Sequence, residues 1–188
     1  KKAFGDNFLG LILPSSTSSA ASFADASALC EKFNITVEKI FIGSLVDAYF
    51  HDKKDASKLR IGNFAARMRM SVLYDISARE NALVLGTGNK SEILLGYGTI
   101  FGDLACAINP IGELYKSEIF EFADYLGVPN SILTKAPSAD LWEGQSDEEE
   151  LGHSYKEMDD LLKLMIDENK SEEELISLGF EEEFINKI

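Results

Sequence analysis

Residues 86–103, GTGNKSEILLGYGTIFGD, follow a short apolar run, NALVL, and open a helical pattern. Glycines, threonines, a lysine and two carboxylates gather there. At a strand end, the Thr87 hydroxyl and helix N-terminal N–H groups together suit a phosphate oxygen. The same threonine serves equally well as a turn or N-cap residue. Glu92, five residues on, has the chemistry of a Mg2+ ligand beside phosphates, or of a solvated glutamate. Lys116 precedes a second helix, where a first-turn cation opposes the helix dipole and points to an anion within reach. Ser138, in KAPSADL, suits a cap or a phosphate contact. Arg67 and Arg69 stand on a mostly apolar helix; a fork-shaped donor there fits a carboxylate, a phosphate or an internal ion pair. No GxxxxGK[ST] loop occurs, and GYGT by itself is a weak glycine motif.

These residues need elements to carry them. FLGLILP (8–14), VEKIFI (37–42) and ALVLG (82–86) read as strands, and CAINPI (106–111) is a shorter candidate. Between the first two, Phe23, Ala26, Leu29, Cys30 and Phe33 form a helical stripe ending at Asn34. The stretch LVDAYF through ISARE reads as one or two helices, and KSEIFEFADYLGVP as a helix stopped by Gly127 and Pro129. Strand–helix–strand alternation with such crossovers predicts an α/β fold, a doubly wound parallel sheet with helices on both faces. No repeat or linker divides the chain, so residues 1–188 are expected to form one domain. Ligands of such sheets lie at the carboxyl ends of the strands. The serine-rich turn after the first strand, the 86–103 stretch and the IGELYKSE segment all fall at that edge, the arrangement of a nucleotide site.

The bulk composition agrees. An apolar content of 45% is that of a globular protein. No apolar run reaches the ~18 residues of a membrane span, and Asp6 interrupts the short run near the start, against a signal peptide. Cys30 and Cys106 read as buried free thiols of a cytoplasmic protein. The net charge of −14 is uneven: residues 143–188 hold 16 acids and 4 bases, net −12, leaving −2 for residues 1–142. Solvated helix faces account for such a run of acids. With no basic stripe interleaved with aromatics, no nucleic-acid partner is expected.

Four segments in order, GNFAARMRMSVLYDIS, LVLGTGNKSEILLGYGT, FGDLACAINPIGELYKSEI and KAPSADLWEGQSDEEELG, resemble the ammonia-dependent NAD synthetases of the ATP pyrophosphatase superfamily. The resemblance implies an adenine nucleotide α-hydrolase-like, Rossmann-like sheet. It further implies ATP-dependent amidation of deamido-NAD by ammonia through an acyl adenylate, with Mg2+ as cofactor. By that resemblance Thr87, Lys116 and Ser138 contact ATP, Glu92 binds Mg2+, and Arg67 contacts deamido-NAD. Asp103 is the candidate catalytic side chain. Ile100 and Ala107 stand where many members carry a lysine and an acid. The family's SGGxDS loop is absent, and KKAFGDN reads as the last turn of a helix, so an upstream strand and loop are expected. A related adenylating amidotransferase resembling GMP synthetase is the second enzyme reading; a non-catalytic adenine-nucleotide-binding regulator is the third.

Two further expectations concern assembly and motion. Phe64, Met68, Met70, Val72, Leu73 and Ile76 make one helix apolar on more than one face, which predicts a homodimer. Residues 138–152, with four successive acids from Asp147 to Glu150, are expected to bury little and to close over ATP as a lid.

Overall fold

The computed structural model describes residues 1–142 and 144–188; Glu143, where the acidic third begins, lies outside the described residues. Strand β1 (Leu9–Ile12) pairs in parallel with β2 (Thr36–Lys39), Leu9 opposite Thr36 and Ile12 opposite Lys39. Their crossover is α1 (Ala20–Lys32), which the Ser19 hydroxyl caps by accepting from the Ser22 amide. Asn34, at a left-handed φ of 48°, turns the chain back into β2. The stripe expected on α1 is present but shallow. No residue of the helix is buried, and Phe23 is exposed.

The long stretch after β2 is two helices, α2 (Gly43–Phe50) and α3 (Lys58–Glu80), parted by the charged segment HDKKDAS. Ser57 caps α3 by accepting from the Arg60 amide, and Asn81 ends it at a left-handed φ. The first core forms where these helices meet β1: Leu13, Ile42, Val46 and Ala65 are buried, with Phe64, Met68, Val72 and Leu73 packed on them. Tyr49 and Phe64 stack at 4.4 Å between ring centroids. The apolar residues of α3 are thus largely covered within the chain; Met70 and Ile76 are buried outright.

The third and fourth expected strands do not form a ladder. They reduce to one parallel bridge, Leu85 with Ile108. The Val84 carbonyl accepts from the amides of Ala107 and Ile108, and the Ile108 carbonyl accepts from Gly86. Pro110, lacking an N–H, ends the pairing. The sense of pairing is parallel, as expected; its extent is not. Among the described residues the sheet therefore has two strands, and the rest is mostly helical.

Then follow α4 (Lys90–Leu94), α5 (Lys116–Leu126), α6 (Asn130–Leu133), α7 (Asp147–Leu151) and α8 (Tyr155–Leu162). A π-helical turn, Lys163–Asp167, continues α8, and α9 (Glu172–Ser177) and α10 (Glu182–Lys187) close the chain. Gly127, at φ 79°, ends α5 as expected. Leu161, Leu175 and Ile185 form a second core with Phe180 and Phe184 against them. Both cysteines are free and half-buried rather than buried. Cys30 lies on the shallow α1, and Cys106 fills the space beside Gly86. Among the described residues no helix is long and apolar enough to cross a membrane.

Candidate functional site

The loop 86–89 rests on the segment 108–114. Gly86 N donates to the Ile108 carbonyl at 2.7 Å, Lys90 N to the Leu114 carbonyl at 2.8 Å, and Asn109 Nδ2 to the Gly88 carbonyl at 2.8 Å. A Cβ at Gly86 would come within 2.3 Å of the Cys106 sulfur, so this close approach requires glycine. Thr87 stands exposed between the two glycines. Asn89, 2% exposed, caps α4: its Oδ1 accepts from Glu92 N at 3.0 Å, and Glu92 Oε2 accepts from Asn89 N at 3.1 Å. This capping box fixes the Glu92 side chain.

The other Glu92 oxygen accepts from Lys116 Nζ at 2.9 Å, and both side chains are less than one-fifth exposed. The residues expected to meet metal and phosphate thus face each other. Lys116 opens α5, whose N-cap residue, Tyr115, makes no side-chain cap. The first amides of that helix are met from outside instead. Lys116 N donates to Ser91 Oγ at 2.8 Å and Ser117 N to Asp159 Oδ2 at 2.8 Å; the Ser91 hydroxyl in turn donates to Asp159 Oδ1. Ser91 and Asp159 are both fully buried. Neither was singled out from the sequence. The available signal was Asp159 in phase with Tyr155, Met158 and Leu162, an acid on the apolar stripe of a helix.

Ser138 and Lys116 line one cavity of about 250 Å³, walled by Ile119, Ala123, Ile132 and Leu133 of α5 and α6. The Ser138 hydroxyl accepts from Asp140 N at 3.1 Å. The acid run that follows does not lie wholly in solvent. Asp147 is 3% exposed and accepts from Ala139 N at 2.9 Å, Tyr97 Oη at 3.0 Å and Tyr155 Oη at 3.3 Å. Gln145 Oε1 accepts from Leu141 N at 2.8 Å, and Tyr97 Oη also lies 2.5 Å from Glu150 Oε2. The expectation that this segment buries little is corrected: two tyrosines supply donors that make a buried carboxylate tolerable. Burial pushes the Asp147 carboxyl above its ordinary value. Burial also pushes the hydroxyls of Tyr97 and Tyr155 far up, so both remain donors.

Arg67 lies on a second side of the loop after α4. It is exposed, and its Nε donates to the Ile100 carbonyl at 3.0 Å. In the same loop Thr99 Oγ1 donates to Asn63 Oδ1 at 2.6 Å, and Asp103 Oδ1 accepts from Thr99 N at 3.0 Å. Asp103 acts here as a turn cap beside the Arg67 contact. Tyr97 ties this loop to α7. Arg69 stands apart: its guanidinium donates to the Leu13 carbonyl at 2.9 Å and to the hydroxyls of Ser15 and Ser18. It anchors the serine-rich turn after β1 through neutral acceptors, not an ion pair.

A parallel strand–helix–strand unit with a second parallel bridge makes this an α/β chain, and its likeness to a solved structure gives it the adenine nucleotide α-hydrolase fold. That structure is the NH3-dependent NAD synthetase of Campylobacter jejuni in complex with the nitrate ion. It superposes with a TM-score of 0.80 at 39% identity, over 99% of this chain and 72% of that one. Within that fold, the chain belongs to the NAD synthase family, whose model matches residues 1–188. The NH(3)-dependent NAD(+) synthetase of Wolinella succinogenes is 53% identical over 188 residues, all of this chain and 73% of the relative. The NMN synthetase structure from Francisella tularensis is similar too, with a TM-score of 0.79 and 42% identity over 82% of this chain and 66% of that one.

Proposed function

We propose that this chain is the synthetase portion of an enzyme that amidates deamido-NAD with ammonia, converting ATP to AMP and pyrophosphate. The observation that carries the reading is the Glu92–Lys116 pair at 2.9 Å beside the Gly86–Asn89 loop. A carboxylate is a poor acylating agent. In the proposed reaction the nicotinate oxygen bonds to the α-phosphorus of ATP as the bond to pyrophosphate breaks. Ammonia then adds to the acyl carbon, AMP leaves with the bonding electrons, and the nitrogen sheds a proton.

The chain's own residues meet the charge that builds on the phosphates. Lys116 supplies a fixed cation, Thr87 and Ser138 hydroxyl donors, and Arg67 a fork for the deamido-NAD side. Glu92 is a single carboxylate with lone pairs to spare, which fits Mg2+ held largely by phosphate oxygens. Among the described residues no cluster of three or more metal-ligating side chains competes with it. When bound, the ion supplies charge neutralisation at the phosphates. Until then Glu92 and Lys116 neutralise one another. Asp103, by capping Thr99, keeps the loop that holds Arg67 in place. The parallel strands belong, in this reading, to a doubly wound sheet covered on both faces, and residues 1–188 to one cytoplasmic domain.

The test is an assay of the full-length protein with ATP, deamido-NAD and ammonium, following NAD, AMP and pyrophosphate. Glu92→Gln is expected to raise the Mg2+ requirement, and Lys116→Met the KM for ATP. Failure of the wild-type protein to form NAD overturns the activity; indifference of both variants overturns the site. The likeness to an NMN synthetase favours one other substrate, the corresponding deamido mononucleotide. Faster amidation of that compound would replace the dinucleotide in this reading.

A further inference from the structure

At the amino end of α5, Glu118 accepts from the N-cap amide, Tyr115 N, at 2.8 Å, and the amides of Lys116 and Ser117 beyond it are met by neither residue. A tyrosine at the N-cap leaves the first amides to be met by other elements. Asp159, fully buried on α8, meets them in two ways. One oxygen accepts from Ser117 N at 2.8 Å; the other accepts from Ser91 Oγ, which itself accepts from Lys116 N at 2.8 Å. Ser91 lies on α4, one residue before Glu92. A single carboxylate therefore joins the helix that carries Glu92 to the helix that carries Lys116, from a third helix 42 and 68 residues away along the chain.

A core position of this kind is ordinarily apolar, because an enclosed carboxylate loses its hydration. The two donors and the amino end of α5 offset that loss. What the arrangement gives in return is register. An apolar residue at 159 would fill the space but would leave the Ser117 amide and the Ser91 hydroxyl without an acceptor, so that only the Lys116 N–Ser91 Oγ contact would still hold α4 against α5.

We propose that Asp159 is a positioning residue, which fixes the spacing of Glu92 and Lys116 through the Ser91 hydroxyl and the first amides of α5. This rests on the site reading given above. It is tested in the full-length protein with Asp159→Asn, which keeps the shape but replaces one acceptor with a donor, and with Ser91→Ala. Three quantities are compared: the half-saturating Mg2+ concentration, KM for ATP against KM for deamido-NAD, and amide hydrogen exchange at residues 116–118. Expected is a rise of about tenfold or more in the Mg2+ and ATP constants, the scale on which partners of metal-binding groups act. The deamido-NAD constant should stay within about twofold, and exchange should quicken at the start of α5 while α3 is unchanged.

A folded variant with unaltered ATP and Mg2+ constants overturns the proposal. So does an equal loss in all three constants with exchange raised throughout, the mark of a merely structural acid. If Asp159→Asn does not fold, Ser91→Ala decides by the same readings, since it retains the Ser117 contact. If Glu92→Gln and Lys116→Met are themselves silent towards Mg2+ and ATP, the site reading has failed and takes this role with it. Faster exchange at 116–118 would then report the helix cap alone.

Discussion

Glu92 makes two contacts at once: the capping box with Asn89 that starts α4, and the ion pair with Lys116. A glutamine in its place retains acceptors for the Asn89 amide but strips Lys116 of its counter-ion in a site less than one-fifth exposed. Glu92→Gln is therefore expected to lower stability by about 1 kcal/mol, more than an exposed glutamate would, measured by urea unfolding. Asp147 gives a prediction in pH. Burial, the largest influence, holds its carboxyl above the ordinary 3.8, against the pull of Tyr97, Ala139 and Lys116. The folded state then binds the proton more tightly than the unfolded one. Its contribution to stability is full below the unfolded value and is lost as pH rises through the folded one. Urea unfolding from pH 4 to 7 should show the wild type losing ground to Asp147→Asn as pH rises above about 4; a constant difference would count against it.

At the scale of elements, α7 is latched instead of free. Tyr97, 50 residues before Asp147 and in the loop that also contacts Arg67, places its one hydroxyl proton between the Asp147 and Glu150 carboxylates. Tyr97→Phe removes that donor from a buried carboxylate, at a cost of roughly 1–3 kcal/mol. Limited proteolysis of the variant should cut within 138–152 several-fold faster, and ATP should restore protection if the segment closes over nucleotide. Equal cutting of variant and wild type would show that the latch holds nothing. The first crossover and α5 were legible because their signals are local: alternation or a helical stripe, then Asn34 or Gly127 as a stop. The latch was not, because DEEE reads as a solvated run and its tyrosine partners come from other segments. The Ser91–Asp159 contact was equally hidden, since pairing at 68 residues' separation leaves no periodicity to find. Strands 82–86 and 106–111 were overestimated for the opposite reason. Their apolar composition is strand-like, but Pro110 and the turn at Gly86 allow three backbone bonds and no more.

For the molecule as a whole, the case for a homodimer shifts ground. Of the α3 residues expected to need a partner, Phe64, Met68, Val72 and Leu73 pack against the first core and Met70 and Ile76 are buried, whereas Leu45 and Tyr49 on α2 and Leu59 and Tyr74 on α3 stay more than 40% exposed. Two copies meeting across these helices would cover them, with Arg67 on the same α3. Sedimentation of the full-length protein at micromolar concentration should give a dimer, and Tyr74→Asp should weaken it. A monomer at that concentration would exclude the homodimer.

The second core, built from α8, α9 and α10, belongs to the part of the chain that carries net −12. ATP must therefore arrive against the protein's field and not along it. Lys116, enclosed and paired, acts at contact range, while the acids act over the roughly 10 Å that 0.1 M salt leaves unscreened. Added salt should hasten the encounter, the reverse of what a basic funnel does to an anion. Stopped-flow binding would record an association rate that climbs with ionic strength before contact affinity begins to fall. For this molecule, moderate salt is a help to the traffic and a hindrance to the stay.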